Sequence, residues 1–158
     1  MTKTAKAAKV SKTSPSSDQK LADFLCFALY SANLTFGKAY KPLLDALGLT
    51  YTQYITIVAL YEESNQTVSG LGEKLFLESN TLTPILKKLE SLGYVSRERD
   101  SADERQVIVN LTKEGRALRE RAYSADLFEA AGLSLDEFVD TRDAVLKVRN
   151  NLAKAQRK

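Results

Sequence analysis

The chain has 158 residues, 44% hydrophobic and 27% charged, with one cysteine and no histidine. That is enough for one domain with its own core, and it excludes an intrachain disulfide framework. Carboxylates are the only strong ligands left, which argues against zinc, copper or haem, so no cofactor is expected. No apolar run approaches the ~20 residues of a bilayer span and no apolar signal core opens the chain, so the reading is cytoplasmic with no membrane partner. The net charge of +3 is local: residues 1–20 carry five lysines against Asp18, which leaves the rest near −1. Nucleic-acid binding would therefore rest on placement of charge rather than on its sum.

In chain order, residues 1–17 read as a disordered basic tail, a solubilising extension or a weak phosphate-tracking arm. A helix is expected from Ser16 or Ser17, with Asp18 in its first turn. Leu21, Phe24, Leu25, Ala28, Leu29 and Ala32 recur at three and four and cover much of its circumference, which predicts burial on more than one side. Pro42 disfavours helical geometry at Lys41, so a bend or break is expected there before LLDAL ends at Gly48. Thr50 to Gln53 has the form of a capping box, opening a helix with Tyr54, Ile57, Val58 and Tyr61. SNQTV reads as a loop, and Ser69 as the cap of a short helix carrying Leu71, Leu75 and Phe76. After a turn at residues 78–80, Leu82, Ile85, Leu86, Leu89 and Leu92 line one face of a helix that stops at Gly93. Thr83 before Pro84, or Ser79 one turn earlier, is its expected cap.

The period then changes to two. Val95 begins one strand, Val107, Val109 and Leu111 alternate along another, and RDSADER is the polar tip between them. Thr112 caps the charged helix KEGRALRERA. Ser134 and Glu137 form a second capping box before a last helix with Phe138, Val145 and Val148. Helix, turn, helix and hairpin in this order read as a winged helix-turn-helix. The fold class expected is therefore mainly α with a small β-hairpin wing, forming a two-fold dimer. One domain spans 18–158, with dimerisation helices at 18–47 and 112–158 and a DNA-binding part at 50–111. Ser79, Asn80, Thr81 and Thr83 can donate to bases or phosphates in a major groove, and Lys87 and Lys88 can pair with phosphates. The wing offers Arg97, Arg99 and Arg105. Five acidic groups balance the five basic ones over 87–105, so a working wing requires some carboxylates to hold arginines in place.

The stretch LTPILKKLESLGYVSRERDSADERQVIVNLTKEG resembles the MarR-type winged-helix regulators, whose most specific signature it carries at Asp103-Glu104-Arg105 and Leu111-Thr112. LCFALYSANLTFGKAYKPLLDALGLTYTQYITIVALYE, with Cys26, Tyr40 and Tyr51 at matching spacing, resembles the organic-hydroperoxide-resistance regulators (OhrR) within that family, of the single-cysteine type. The resemblance covers roughly residues 20–125. It implies that Arg105 enters a minor groove with Asp103 helping to hold it, and that Ser79 to Lys87 read the major groove. It also implies that phenols matching Tyr40 and Tyr51, from the partner subunit, hydrogen-bond a reactive sulfur at Cys26.

The residues around Cys26 do not by themselves point to reactivity. The thiolate is the nucleophile. Cys26 lies about two turns inside the expected helix, beyond the reach of the N-terminal dipole. Its helical neighbours Ala22, Asp23, Leu29 and Tyr30 include no cation, and Asp23 disfavours a thiolate, as for a buried, inert cysteine. Tyr30, at i+4, is within reach. Tyr40 lies ~21 Å further along the helix at 1.5 Å per residue, so it meets Cys26 only across a second copy packed antiparallel, as in a two-fold dimer. Tyrosine hydroxyls stabilise a thiolate by donating to it.

The function expected is a redox-sensing DNA-binding regulator, a repressor by the resemblance. It would bind a palindromic operator in double-stranded DNA as a homodimer and be released when an organic hydroperoxide oxidises Cys26 in a pocket with Phe24, Leu25 and Phe27. Part of the subgroup carries a second, resolving cysteine. This chain has Ala130 and Ala131 in that region, so stable release would need a mixed disulfide with a small thiol or further oxidation. The rival reading keeps the regulator but has a small phenol or fatty acid bind reversibly in the dimer pocket. A thiol peroxidase is disfavoured, since no histidine, second cysteine or nearby cation turns Cys26 over.

Overall fold

The computed structural model describes residues 19–122 and 131–156. The expected tail over 1–17, the helix start at Ser16 or Ser17, and Ala130 lie outside them. The chain divides after Phe36 into two compact units, where the sequence reading places one domain over 18–158.

In the first unit the expected continuous helix is interrupted. Leu21–Asp23 form one 3-10 turn, Phe24 is extended (φ −84°, ψ 115°), and α1 (Leu25–Leu47) begins only after it. The cause is local: the Lys20 N–H donates to the Asp23 carboxylate at 3.0 Å, which closes the turn on itself. The apolar side chains of this unit are not buried on several sides by their own chain. Leu21 is 62% exposed, and Phe24, Leu25, Tyr30, Leu34 and Phe36 are exposed as well.

In the second unit α1 continues through Pro42 rather than breaking. A proline in a helix removes one N–H and crowds the preceding turn. Here the turns beyond it are held by packing: Leu44 is buried with Tyr54 and Ala122, flanked by Leu43 and Leu47. Lys41 also reaches across the proline to Asp45 at 2.8 Å. Gly48, at φ +64°, ends the helix as expected. The Thr50–Gln53 capping box is present: the Gln53 N–H donates to Thr50 Oγ1 (3.3 Å) and the Thr50 N–H to Gln53 Oε1 (2.9 Å). It opens α2 (Tyr51–Glu62), whose Ile57 and Leu60 are fully buried.

SNQTV is not merely a loop. Asn65 takes a left-handed conformation, and Gln66–Thr67 form a short strand, β1. With β2 (Val95–Arg99) and β3 (Val107–Leu111) it builds an antiparallel sheet of order β1-β3-β2. The register pairs Gln66 with Val109 and Val95 with Leu111. The expected two-stranded wing is thus the outer part of a three-stranded sheet. α3 (Val68–Leu75) is capped by Thr67, which accepts from the Gly70 N–H at 3.0 Å, and not by Ser69. Thr67 is the last extended residue of β1, which is the backbone conformation an N-cap needs.

α4 (Ser79–Ser91) starts from Glu78, so neither Ser79 nor Thr83 is its cap. The N–H groups of Thr81 and Leu82 both donate to the Glu78 carbonyl, at 3.0 and 2.9 Å. Burial of Leu82, Leu86 and Leu89 holds the helix in place through Pro84. The Thr83 hydroxyl donates to the Ser79 carbonyl at 2.7 Å. Gly93, at φ +77°, ends this helix as expected. Thr112 caps α5 (Lys113–Arg121) by accepting from the Gly115 N–H at 3.1 Å. Ser134 and Glu137 form the second box before α6 (Leu135–Gln156). One core unites Ile57 and Leu60 with Leu71, Leu82, Leu86, Leu89, Val109 and Leu118. Each such side chain contributes about 1.5–3 kcal/mol on burial. Among the described residues no single helix is long and apolar enough to cross a membrane.

Candidate functional site

The start of α4 presents Ser79, Asn80 and Thr81 to solvent, with Thr83 half-buried and Lys87 exposed on the following turns. A groove of about 310 Å³ runs beside them, lined by Thr67, Ser69, Ser79, Thr83, Arg97 and Arg105. The structure therefore brings the hydroxyls of Ser79 and Thr83 and two of the wing arginines together. It separates Lys88, which lines a different hollow with Asp45, Thr50 and Gln53. Arg99 is exposed at the end of β2, opposite Val107.

The wing turn is organised by its own carboxylates. Asp100 Oδ1 accepts from the Ala102 N–H (2.9 Å), and Asp103 Oδ1 from the Arg105 N–H (3.1 Å). The second oxygen of Asp103 accepts from Gln106 Nε2 at 3.1 Å. Asp103 thus positions Arg105 through its backbone and leaves the guanidinium exposed, with no ion pair among the described residues. Arg97 differs. Its Nε donates to Glu90 Oε2 at 3.0 Å, and its Nη2 donates to the same oxygen. These hydrogen bonds from Arg97 hold the Glu90 carboxyl below the usual carboxylate range. Glu90 was not among the residues singled out from sequence. It lies seven residues from Arg97 across a helix stop, a separation that carries no local pattern.

Cys26 is the second residue of α1, not two turns inside a helix, and its side chain is exposed rather than core. The interruption at Phe24 therefore places Cys26 in the first turn of α1 rather than deep in a helix. With Leu21, Phe24, Phe27 and Tyr30, Cys26 lines an open, apolar hollow of about 330 Å³. The Phe27 and Tyr30 rings lie 6.5 Å apart.

The other two predicted tyrosines also meet. The rings of Tyr40 and Tyr51 are 5.2 Å apart, and Tyr54 joins them 6.2 Å from Tyr40. The Tyr54 hydroxyl donates to the Ala122 carbonyl at 3.4 Å, which ties the cluster to the end of α5. Burial, then the neighbouring Tyr51 and Tyr54, push the Tyr40 phenol above its ordinary range, against a smaller opposing effect of Arg119. Burial, then Tyr54, do the same to Tyr51. Both phenols are therefore neutral donors at physiological pH. Tyr54 was read from sequence only as a residue of this helix; its i+3 spacing from Tyr51 was the available signal.

The model of the transcriptional regulators SarA/Rot matches residues 38–121, which hold α2, the sheet, α3, α4 and α5. The chain belongs to the SarA/Rot family of transcriptional regulators. Its winged helix is of MarR type. This SarA/Rot-family chain is 47% identical over 103 residues to the organic hydroperoxide resistance transcriptional regulator of Bacillus subtilis, covering 65% of this chain and 70% of that one. It is 41% identical over 145 residues to the regulator TtmR of Methylorubrum extorquens, covering 90% of this chain and 74% of that one. Among solved structures it resembles reduced AbfR bound to DNA, with a TM-score of 0.73 at 36% identity over 85% of this chain and 94% of AbfR, a Staphylococcus epidermidis protein. AbfR is also known overoxidised and bound to DNA, and in a disulfide form. These relatives are regulators by name, and the chain is a regulator rather than an enzyme.

Proposed function

We propose that this DNA-binding regulator is a redox-sensing repressor whose reduced homodimer holds a palindromic operator and releases it when an organic hydroperoxide oxidises Cys26. The observation that carries the reading is the position of the only cysteine. It is exposed in the first turn of α1 and lines an apolar hollow with Phe24, Phe27 and Tyr30. The name of the Bacillus subtilis relative supports the class of oxidant.

On DNA, Ser79, Asn80, Thr81, Thr83 and Lys87 address the major groove from α4, and Arg105 enters the minor groove from the wing. Arg99 and Lys88 are phosphate contacts at the margins. Double-stranded DNA as partner is supported by the DNA-bound AbfR structures. In the dimer, the phenols of Tyr40 and Tyr51 of the partner subunit, with Tyr30 of the same chain, donate to the Cys26 thiolate. In the oxidation step the sulfur attacks the outer oxygen of the hydroperoxide. The O–O bond breaks, the alcohol leaves with a proton, and Cys26 becomes a sulfenic acid. A small thiol then condenses with it, losing water and leaving a mixed disulfide. AbfR is known overoxidised on DNA. Release is therefore assigned to the sulfenic acid or the mixed disulfide and not to higher oxidation states.

The second reading is a reversibly bound small phenol or fatty acid in the same hollow, and the apolar lining favours it. Cys26→Ser separates the two. Loss of the hydroperoxide response with operator affinity kept supports the redox reading. A response that survives Cys26→Ser supports the reversible ligand. Mass spectrometry of oxidised protein without added thiol should show the addition of one oxygen, with no crosslinked dimer on a non-reducing gel.

A further inference from the structure

The wing carries three arginines on β2 and its tip, but one of them has a different environment. Val95, Arg97 and Arg99 share one face of β2, since side chains alternate along a strand. Val95 is 2% exposed, and the residue opposite Arg97 on β3 is Val109, which is fully buried. Arg97 therefore begins on the core face of the sheet, where a charge has to be paired. It is paired: two of its nitrogens converge on one oxygen of Glu90, with side-chain exposures of 24% for the arginine and 38% for the glutamate. Glu90 in turn lies on the same face of α4 as Ser79, Thr83 and Leu86, at spacings of four, three and four, which is the face that lines the groove toward the wing.

We propose that Glu90 is a positioning residue for DNA binding: by gripping Arg97 it fixes the wing hairpin against α4, and Arg97 serves as the anchor of the wing rather than as a DNA contact. Two reading elements are involved, α4 in one groove and Arg105 at the wing tip in the next. Their relative placement must be set before contact for both to dock together. The helix–strand connection at Gly93 and Tyr94 is held by its own hydrogen bonds, with the Gly93 and Tyr94 N–H groups donating to the Glu90 and Leu89 carbonyls, and β2 beyond Val95 is tied to α4 by the Glu90–Arg97 fork. The assignment deepens the DNA-binding reading above and rests on it.

The test uses the full chain with two readouts. Hydrogen exchange on the free protein follows amides 99–106 of the wing, and hydroxyl-radical footprinting follows operator DNA. Glu90→Gln is expected to speed exchange in the wing severalfold and to remove protection at the outer flanks while the central protection stays. Affinity should fall about tenfold, the order expected from a charge-assisted hydrogen bond. The pair Glu90→Arg with Arg97→Glu should restore slow exchange and flank protection, which neither single reversal does. The salt dependence of binding should keep its slope in Arg97→Gln. A slope lower by about one would instead make Arg97 a phosphate contact. The proposal is overturned if Glu90→Gln exchanges and protects like the wild type, or if the swapped pair behaves like the single variants. Wing exchange that responds as expected, with operator left unprotected by the wild type, would fault the DNA reading while leaving the anchor in place.

Discussion

The winged unit and the stretch around Cys26 use apolar residues in opposite ways. In the first, Ile57, Leu60, Leu71, Leu82, Leu86 and Leu89 are fully buried by their own chain. In the second, Leu21, Phe24, Leu25, Leu34 and Phe36 are exposed, and the only cysteine lies among them. The winged unit has the core of a self-sufficient fold, and its functional groups are polar side chains displayed on that core. The Cys26 region displays the apolar residues themselves. Under the dimer reading they are half of a site that a second copy completes.

The largest effect should come from the core. Leu86→Ala leaves a cavity beneath the α4 face and is expected to destabilise by about 2–5 kcal/mol, read as a lower urea midpoint at fixed protein concentration. A cost below 1 kcal/mol would break the contrast. Arg105→Ala should act on DNA and not on folding. Operator affinity is expected to fall by about 5- to 150-fold, as for the loss of a groove contact of about 1–3 kcal/mol, with the urea midpoint kept.

The phenol cluster gives a smaller, pH-dependent effect. Tyr40 and Tyr51 have raised pKa values in the folded chain, so the unfolded chain loses these protons first. The stability linked to them is complete below the ordinary phenol value of 10.0 and declines as pH rises through the folded values. Urea melts between about pH 9 and pH 11 should therefore decline less steeply for Tyr40→Phe than for the wild type. The smallest effect is expected at Cys26. Cys26→Ser should change the unfolding free energy by no more than about 0.5 kcal/mol, because the side chain is exposed in its own chain and the replacement is nearly isosteric. A cost of several kcal/mol would turn the cysteine back into core.

How much was legible follows the range of the interactions involved. The capping boxes at Thr50–Gln53 and Ser134–Glu137, and the stops at Gly48 and Gly93, depend on contacts within a few residues, and sequence reading placed them correctly. The strand at Gln66–Thr67 was missed because two residues carry no period and their partners Val109 and Ile108 lie more than forty positions away. Pro42 was expected to bend or break α1, and Thr83 or Ser79 to start α4. α1 does not break at Pro42 and α4 starts at Ser79 after Glu78, with Leu44 and Leu82 buried in the turns beyond. The depth of Cys26 in its helix was misjudged for a finer reason: one hydrogen bond from Lys20 to Asp23 closes a separate turn and moves the helix start to Leu25. For the site, the hydroxyls of α4, Arg105 and the tyrosines were singled out by residue type and spacing, and the structure brings Ser79, Thr83 and Arg105 to one groove and Tyr40 against Tyr51. The different environment of Arg97 was not, because it depends on Glu90 across the helix–strand junction.

The most direct measurement of the central claim is a gel shift on the protein's own upstream DNA, with and without an organic hydroperoxide and a small thiol, for the wild type and Cys26→Ser. The account predicts that both reduced proteins shift the DNA with similar affinity and that oxidant abolishes the shift for the wild type only. A wild type that stays bound after mass spectrometry shows Cys26 as the sulfenic acid or the mixed disulfide, or a Cys26→Ser variant released like the wild type, would contradict it.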